Sequence, residues 1–95
     1  MNFSQVDPTI HAWARANNLP LSIRYQDSDV RSFELVGPSG RAQLWVEVNE
    51  QIKVCVWDFR KRKEFFVTEL SGLDAALDRA ARLARPWCGN VDGNE

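Results

Sequence analysis

The chain has 95 residues, a net charge of −1 and a pI near 5.8, so neither nucleic acid nor an anionic membrane attracts it globally. A hydrophobic content of 44% with four Trp and five Phe argues for a folded protein with one core, and the length leaves no room for a second. No apolar run approaches ~18 residues, "MNFSQVDP" lacks the basic and apolar regions of a secretory signal, and two cysteines are too few for a disulfide framework. These features predict a cytoplasmic protein with reduced thiols, one domain over residues 1–88 and a flexible tail over 89–95.

The first element reads as a helix. Asp7-Pro8 offers a carboxylate at the N-cap and Pro at the first helical position. Ile10, Trp13, Ala14 and Asn17 then recur at helical spacing, with Phe3 and Val6 leading in. "NNLP" ends the helix: Asn17 or Asn18 suits the left-handed C-cap conformation, and Pro20 blocks continuation.

Five strand-like segments follow, over 21–26, 30–36, 41–48, 52–59 and 64–70. Their joins are short, which predicts an antiparallel meander. A three-residue "DSD" loop pairs Tyr25 with Arg31, Ile23 with Phe33 and Leu21 with Leu35. The "GPSG" loop pairs Leu35 with Ala42 and Phe33 with Leu44. An "NEQ" loop pairs Val46 with Val54 and Leu44 with Val56, and sets Glu47 opposite Lys53. Apart from Arg31, apolar residues meet apolar residues, so one face is buried. The fifth strand has two readings. A four-residue "RKRK" loop turns Phe65 and Val67 inward and sets Phe66 opposite Trp57, and this is the preferred register. A three-residue loop turns Phe66 and Leu70 inward and Phe65 outward.

The last element is an amphipathic helix. Ser71 reads as its cap with Asp74 three residues on, an apolar stripe runs from Leu73 to Ala84, and Pro86 closes it. Asp74 and Asp78 near its start and Arg79, Arg82 and Arg85 near its end suit the macrodipole. The expected fold class is therefore α+β, with an N-terminal and a C-terminal helix on one face of a five-stranded antiparallel meander.

That arrangement leaves the other sheet face without cover. It carries Trp45, Cys55, Trp57 and Phe66 as a contiguous apolar group, and monomers seldom leave such groups in water. Either the segment "RPWCGN" folds back over them, or they are anchors for a protein partner or a second copy of the chain. Beside them, Arg60, Lys61, Arg62 and Lys63 form a basic run. With Trp45, Trp57 and Phe59, those cations offer the phosphate contacts and stacking surfaces of a single-stranded nucleic-acid binder.

Motifs for chemistry are lacking. His11 is the only histidine and has no orienting partner in sequence. The cysteines form no C-x-x-C pair or zinc ligand set, and "DSD" and "GPSG" read as turns. No nucleophile-elbow, zincin or Walker pattern occurs. The expectation is a non-enzymatic protein-binding module without cofactor or metal, its alternative being single-stranded nucleic-acid binding. In outline, the compact, mildly acidic, Trp-rich chain resembles small α/β immunity proteins of bacterial toxin systems. That resemblance implies an inhibitor-type partner and assigns no residue roles.

Overall fold

A computed structural model describes residues 2–89. Asn2 opens the first helix, α1 (Phe3–Ala16), through a capping box in which its side chain accepts from Ser4 and Gln5 reaches back to its backbone. The helix thus starts upstream of the Asp7-Pro8 signal, and Pro8 lies inside it. Asp7 is released from capping and serves the sheet instead. Asn18 takes the left-handed conformation (φ 56°) just after the helix, as "NNLP" predicts.

Five strands follow: β1 (Ser22–Tyr25), β2 (Ser28–Gly37), β3 (Gly40–Val48), β4 (Ile52–Trp57) and β5 (Lys63–Thr68). They form one antiparallel sheet in the order β1-β2-β3-β4-β5. A single 3-10 turn (Leu70–Gly72) leads into the second helix, α2 (Leu73–Trp87). The expected α-β5-α architecture is the observed one.

The central registers are those the alternation predicts. Phe33 faces Leu44 and Leu35 faces Ala42, while Val46 faces Val54, Leu44 faces Val56 and Glu47 faces Lys53. These apolar pairs form the sheet's half of the core, closed by Val6, Ile10 and Trp13 of α1 and Leu73, Leu77 and Ala80 of α2. α2 lies across β3, β4 and β5, and α1 sits beside it with Trp13 edge-on to Phe33 at 5.2 Å.

Both outer registers differ from expectation. Tyr25 pairs with Ser28 across a two-residue turn, with Gln26 at φ 55°, and an irregularity at Ile23 shifts the phase before Ser22 meets Ser32. Ile23 and Tyr25 are therefore exposed instead of lining the core. On the other side, β4 stops at Trp57, and residues 58–62 form the connection, so Phe66 pairs with Val54 and Phe65 with Cys55. Phe66 packs against the core, contrary to the preferred register, and Phe65 and Val67 take the outer face.

Arg31, a charge at an inward position of β2, is answered by α1. Its guanidinium meets Asp7 at 2.6 and 3.1 Å, reaches the Val30 carbonyl at 2.6 Å and lies 4.3 Å over the Phe3 ring. The same contact pins α1 to β2.

The start of α2 also departs from the sequence signal. Gly72 occupies its N-cap and no side chain caps it, because Ser71 is inside the preceding 3-10 turn. Pro86 does not close the helix, which continues through Trp87. Beyond it, the Cys88 carbonyl accepts from the Ser39 N–H at 2.9 Å. Gly37 permits that approach, since a Cβ there would collide with the Cys88 carbonyl. The segment through Gly89 is thereby tied to the β2–β3 hairpin, with Cys88 in the core, and does not fold over the outer face. The tail expected over 89–95 lies, beyond Gly89, outside the described residues. No helix among the described residues is long and apolar enough to cross a membrane.

Candidate functional site

Register alone places the outer-face side chains in rows across the strands. Ser22, Ser32, Trp45, Cys55 and Phe65 share one row. Glu34, Gln43, Trp57 and Lys63 form the next, and Glu47, Lys53 and Val67 flank the first on its other side. Trp45 and Trp57 thus sit where the sequence predicts, whereas Lys63 holds the position opposite Trp57 expected for Phe66, and Phe65 is outward opposite Cys55.

Cys55 is the one small side chain between Trp45 and Phe65, and it is 3% exposed. Burial first, and the Glu47 carboxylate second, push its thiol up to about 11. The thiol is therefore protonated at neutral pH and is a packing group under the aromatic layer, not a nucleophile. The same Glu47 accepts the indole N–H of Trp45 at 2.9 Å, which fixes the orientation of that ring on the sheet.

Three of the rings on this face, Trp45, Phe65 and Phe59, have a cation over them. Lys63 Nζ stands 5.7 Å from the Trp45 ring centre and Lys53 Nζ 4.9 Å from that of Phe65. Arg41 stacks 4.5 Å from the Phe59 ring, whose other neighbour is Trp57 at 4.9 Å. All lie within the ~6 Å over which a cation is attracted to the ring quadrupole. Phe59 reaches this position because its backbone is left-handed (φ 66°), which ends β4 and turns the side chain back over the sheet.

Asp58 shapes the basic loop. Its carboxylate accepts the backbone N–H groups of Arg60 at 2.9 Å and Arg62 at 3.0 Å, and its own N–H donates to the Arg62 carbonyl. Desolvation would raise this carboxyl, but those N–H groups and the Arg62 guanidinium outweigh it and hold the group below the ordinary 3.8. The four cations consequently have different surroundings. Arg60 and Lys61 are exposed at the tip. Arg62 turns back to Asp58 at 3.3 Å and to the Trp87 ring at 5.6 Å. Lys63 belongs to β5 and lies over Trp45.

Towards β1 the outer face hollows into an open concavity of about 850 Å³. Ser32 and Gln43 are in its floor, with Trp45 and Phe59 on one side and Tyr25 on the other. Small side chains on β1 and β2 beside large ones on β3, together with the loop ring at 59, create the step.

Sequence reasoning names Trp45, Cys55, Trp57 and the basic run. It misses the ring-capping roles of Lys53 and Arg41. The signal for Lys53 lies in its diagonal position to Phe65 across β4 and β5, which only the observed register reveals. His11 is an exposed residue of α1, away from this face. Among the described residues, no group of three or more His, Cys, Asp or Glu side chains comes together as a metal site. No protein family, characterised protein or solved structure matches the chain at a significant level of similarity.

Proposed function

We propose that the chain is a non-enzymatic protein-binding module, acting in the cytoplasm through the helix-free face of its sheet. The supporting observation is the gathering of Trp45, Trp57, Phe59 and Phe65 on one face that neither helix, nor the segment through Gly89, covers. Phe65 is 58% exposed in mid-strand, and Val67 beside it is 47% exposed. Covering an aromatic anchor of this size contributes on the order of 2–3 kcal/mol of transfer free energy, enough for a few such rings to dominate an interface. The occupant is a different protein, as for an inhibitor or immunity-type module, or a second copy.

Single-stranded nucleic acid is the second reading, favoured by the exposed Arg60 and Lys61 beside the rings. A stacking base, however, needs an open ring face, and Lys63, Lys53 and Arg41 already stand over three of the rings.

A photoreactive phenylalanine analogue in place of Phe65, with a control in place of exposed Ala75 on α2, tests the reading in the cells that produce the protein. The expected result is one discrete protein adduct at position 65, absent at 75 and lost when Trp45→Ser is added. An adduct of twice the chain mass identifies a second copy, and a nuclease-sensitive adduct identifies nucleic acid. Equal adduct patterns at 65 and 75 would rule out the outer face as a docking surface.

A further inference from the structure

We infer that the occupant of the outer face is an acidic segment of a different protein, whose carboxylates reach the cations standing over the rings. This rests on the docking reading and gives it a partner chemistry. Arg41, Lys53, Arg60, Lys61 and Lys63 border the aromatic group, whereas the carboxylates on the same face are already engaged. Glu34 holds Arg41 at 2.7 Å, Asp29 holds Arg24 at 3.4 Å, and Glu47, which accepts the Trp45 indole N–H, stands opposite Lys53. Lys53, Arg60, Lys61 and Lys63 make no salt bridge among the described residues. A chain with net charge −1 thus carries more cations than carboxylates around exposed Phe65 and half-buried Trp45 and Phe59.

Geometry separates three occupants. A base stacking on Trp45, Phe59 or Phe65 must first expel a cation. A carboxylate has only to approach the solvent side of an ammonium that the ring already positions, which leaves the cation–π contact in place and adds a charge-assisted hydrogen bond. A second copy, laid face to face, brings the same unpaired cations together, with few free carboxylates to meet them.

The test titrates the purified chain at low ionic strength with poly-L-glutamate and with an oligothymidylate of equal charge, read by tryptophan emission and sedimentation. The expected result is binding of poly-L-glutamate, tighter than the oligonucleotide, weakened about tenfold or more in Lys53→Gln/Lys63→Gln. Thermal melting of the variant close to that of the wild type shows that its fold is retained. Absent poly-L-glutamate binding, tighter oligonucleotide binding or self-association each overturns the inference. The position-65 adduct then separates the two claims. If it persists unchanged in Lys53→Gln/Lys63→Gln, the partner is not held by its acidity and the docking reading stands. If the wild type gives none, the docking reading itself falls.

Discussion

The indole N–H of Trp13 donates to Asp78 at 2.8 Å, joining α1 to α2 across 65 positions of sequence. Trp13 is 3% exposed and also meets Phe33 edge-on, so one side chain ties both helices to the sheet. Asp78→Ala leaves a buried N–H without its acceptor and should cost about 1–3 kcal/mol in urea unfolding. Asp78→Asn keeps a carbonyl acceptor and should lose less than half of that.

The Asp7–Arg31 pair gives the fold an acid limit. The hydrogen bond from Arg31 outweighs desolvation and holds the Asp7 carboxyl below its ordinary 3.8. Its stabilising contribution is therefore full above pH 3.8 and lost as pH falls through the depressed folded value, because the unfolded chain binds that proton more readily. Asp7→Asn should flatten the acid limb of stability against pH. At pH 7, Asp7→Ala should destabilise by about 2 kcal/mol, since the Arg31 side chain is only 12% exposed and would keep an uncompensated charge.

Both thiols should be silent in the folded protein. Burial raises Cys55 and Cys88 above the ordinary 9.0, Cys55 to about 11. A thiol reagent at pH 8 should modify neither in the native chain and both after denaturation. Stability from the raised Cys55 value is intact below pH 9 and lost as pH rises towards about 11, the unfolded thiol ionising first. Cys55→Ala should flatten that alkaline limb.

Adjacent phenylalanines on β5 should differ in cost. Phe66 packs on the core with Arg79 4.6 Å over its ring, whereas Phe65 is mostly exposed beneath Lys53. Phe66→Ala should lose about 2 kcal/mol in chemical denaturation and Phe65→Ala less than about 1 kcal/mol. The reverse order would contradict the register of β5.

The central hairpins are legible because Leu44, Val46, Val54 and Val56 alternate in phase across β3 and β4, and any slip would expose them. The flanks are not, for local reasons. "FF" at 65–66 breaks alternation, so the register depends on the length of the connection, which the left-handed turn at Phe59 lengthens. Ile23 and Tyr25 look like core residues, and nothing in the sequence marks the irregularity that places them in solvent. At α1, Asp7-Pro8 is a strong start signal that hides the weaker Asn2–Gln5 box.

The outer face follows the same division. Trp45, Cys55 and Trp57 lie on strands whose alternation determines their face, and Phe66 on one whose alternation does not. The cations over the rings depend on side-chain reach across strands, which alternation does not encode. Asp58 reads as a strand residue until its backbone partners reveal it as the organiser of the loop.

The meander has a kinetic consequence. Every strand pairs with its neighbour in sequence, so each hairpin closes a short loop, whereas the two helices meet only after nearly the whole chain is gathered. Sheet assembly should precede helix docking, and Asp78→Ala should then accelerate unfolding while leaving the refolding rate almost unchanged. The Trp13 bond would act as a latch fastened last and opened first.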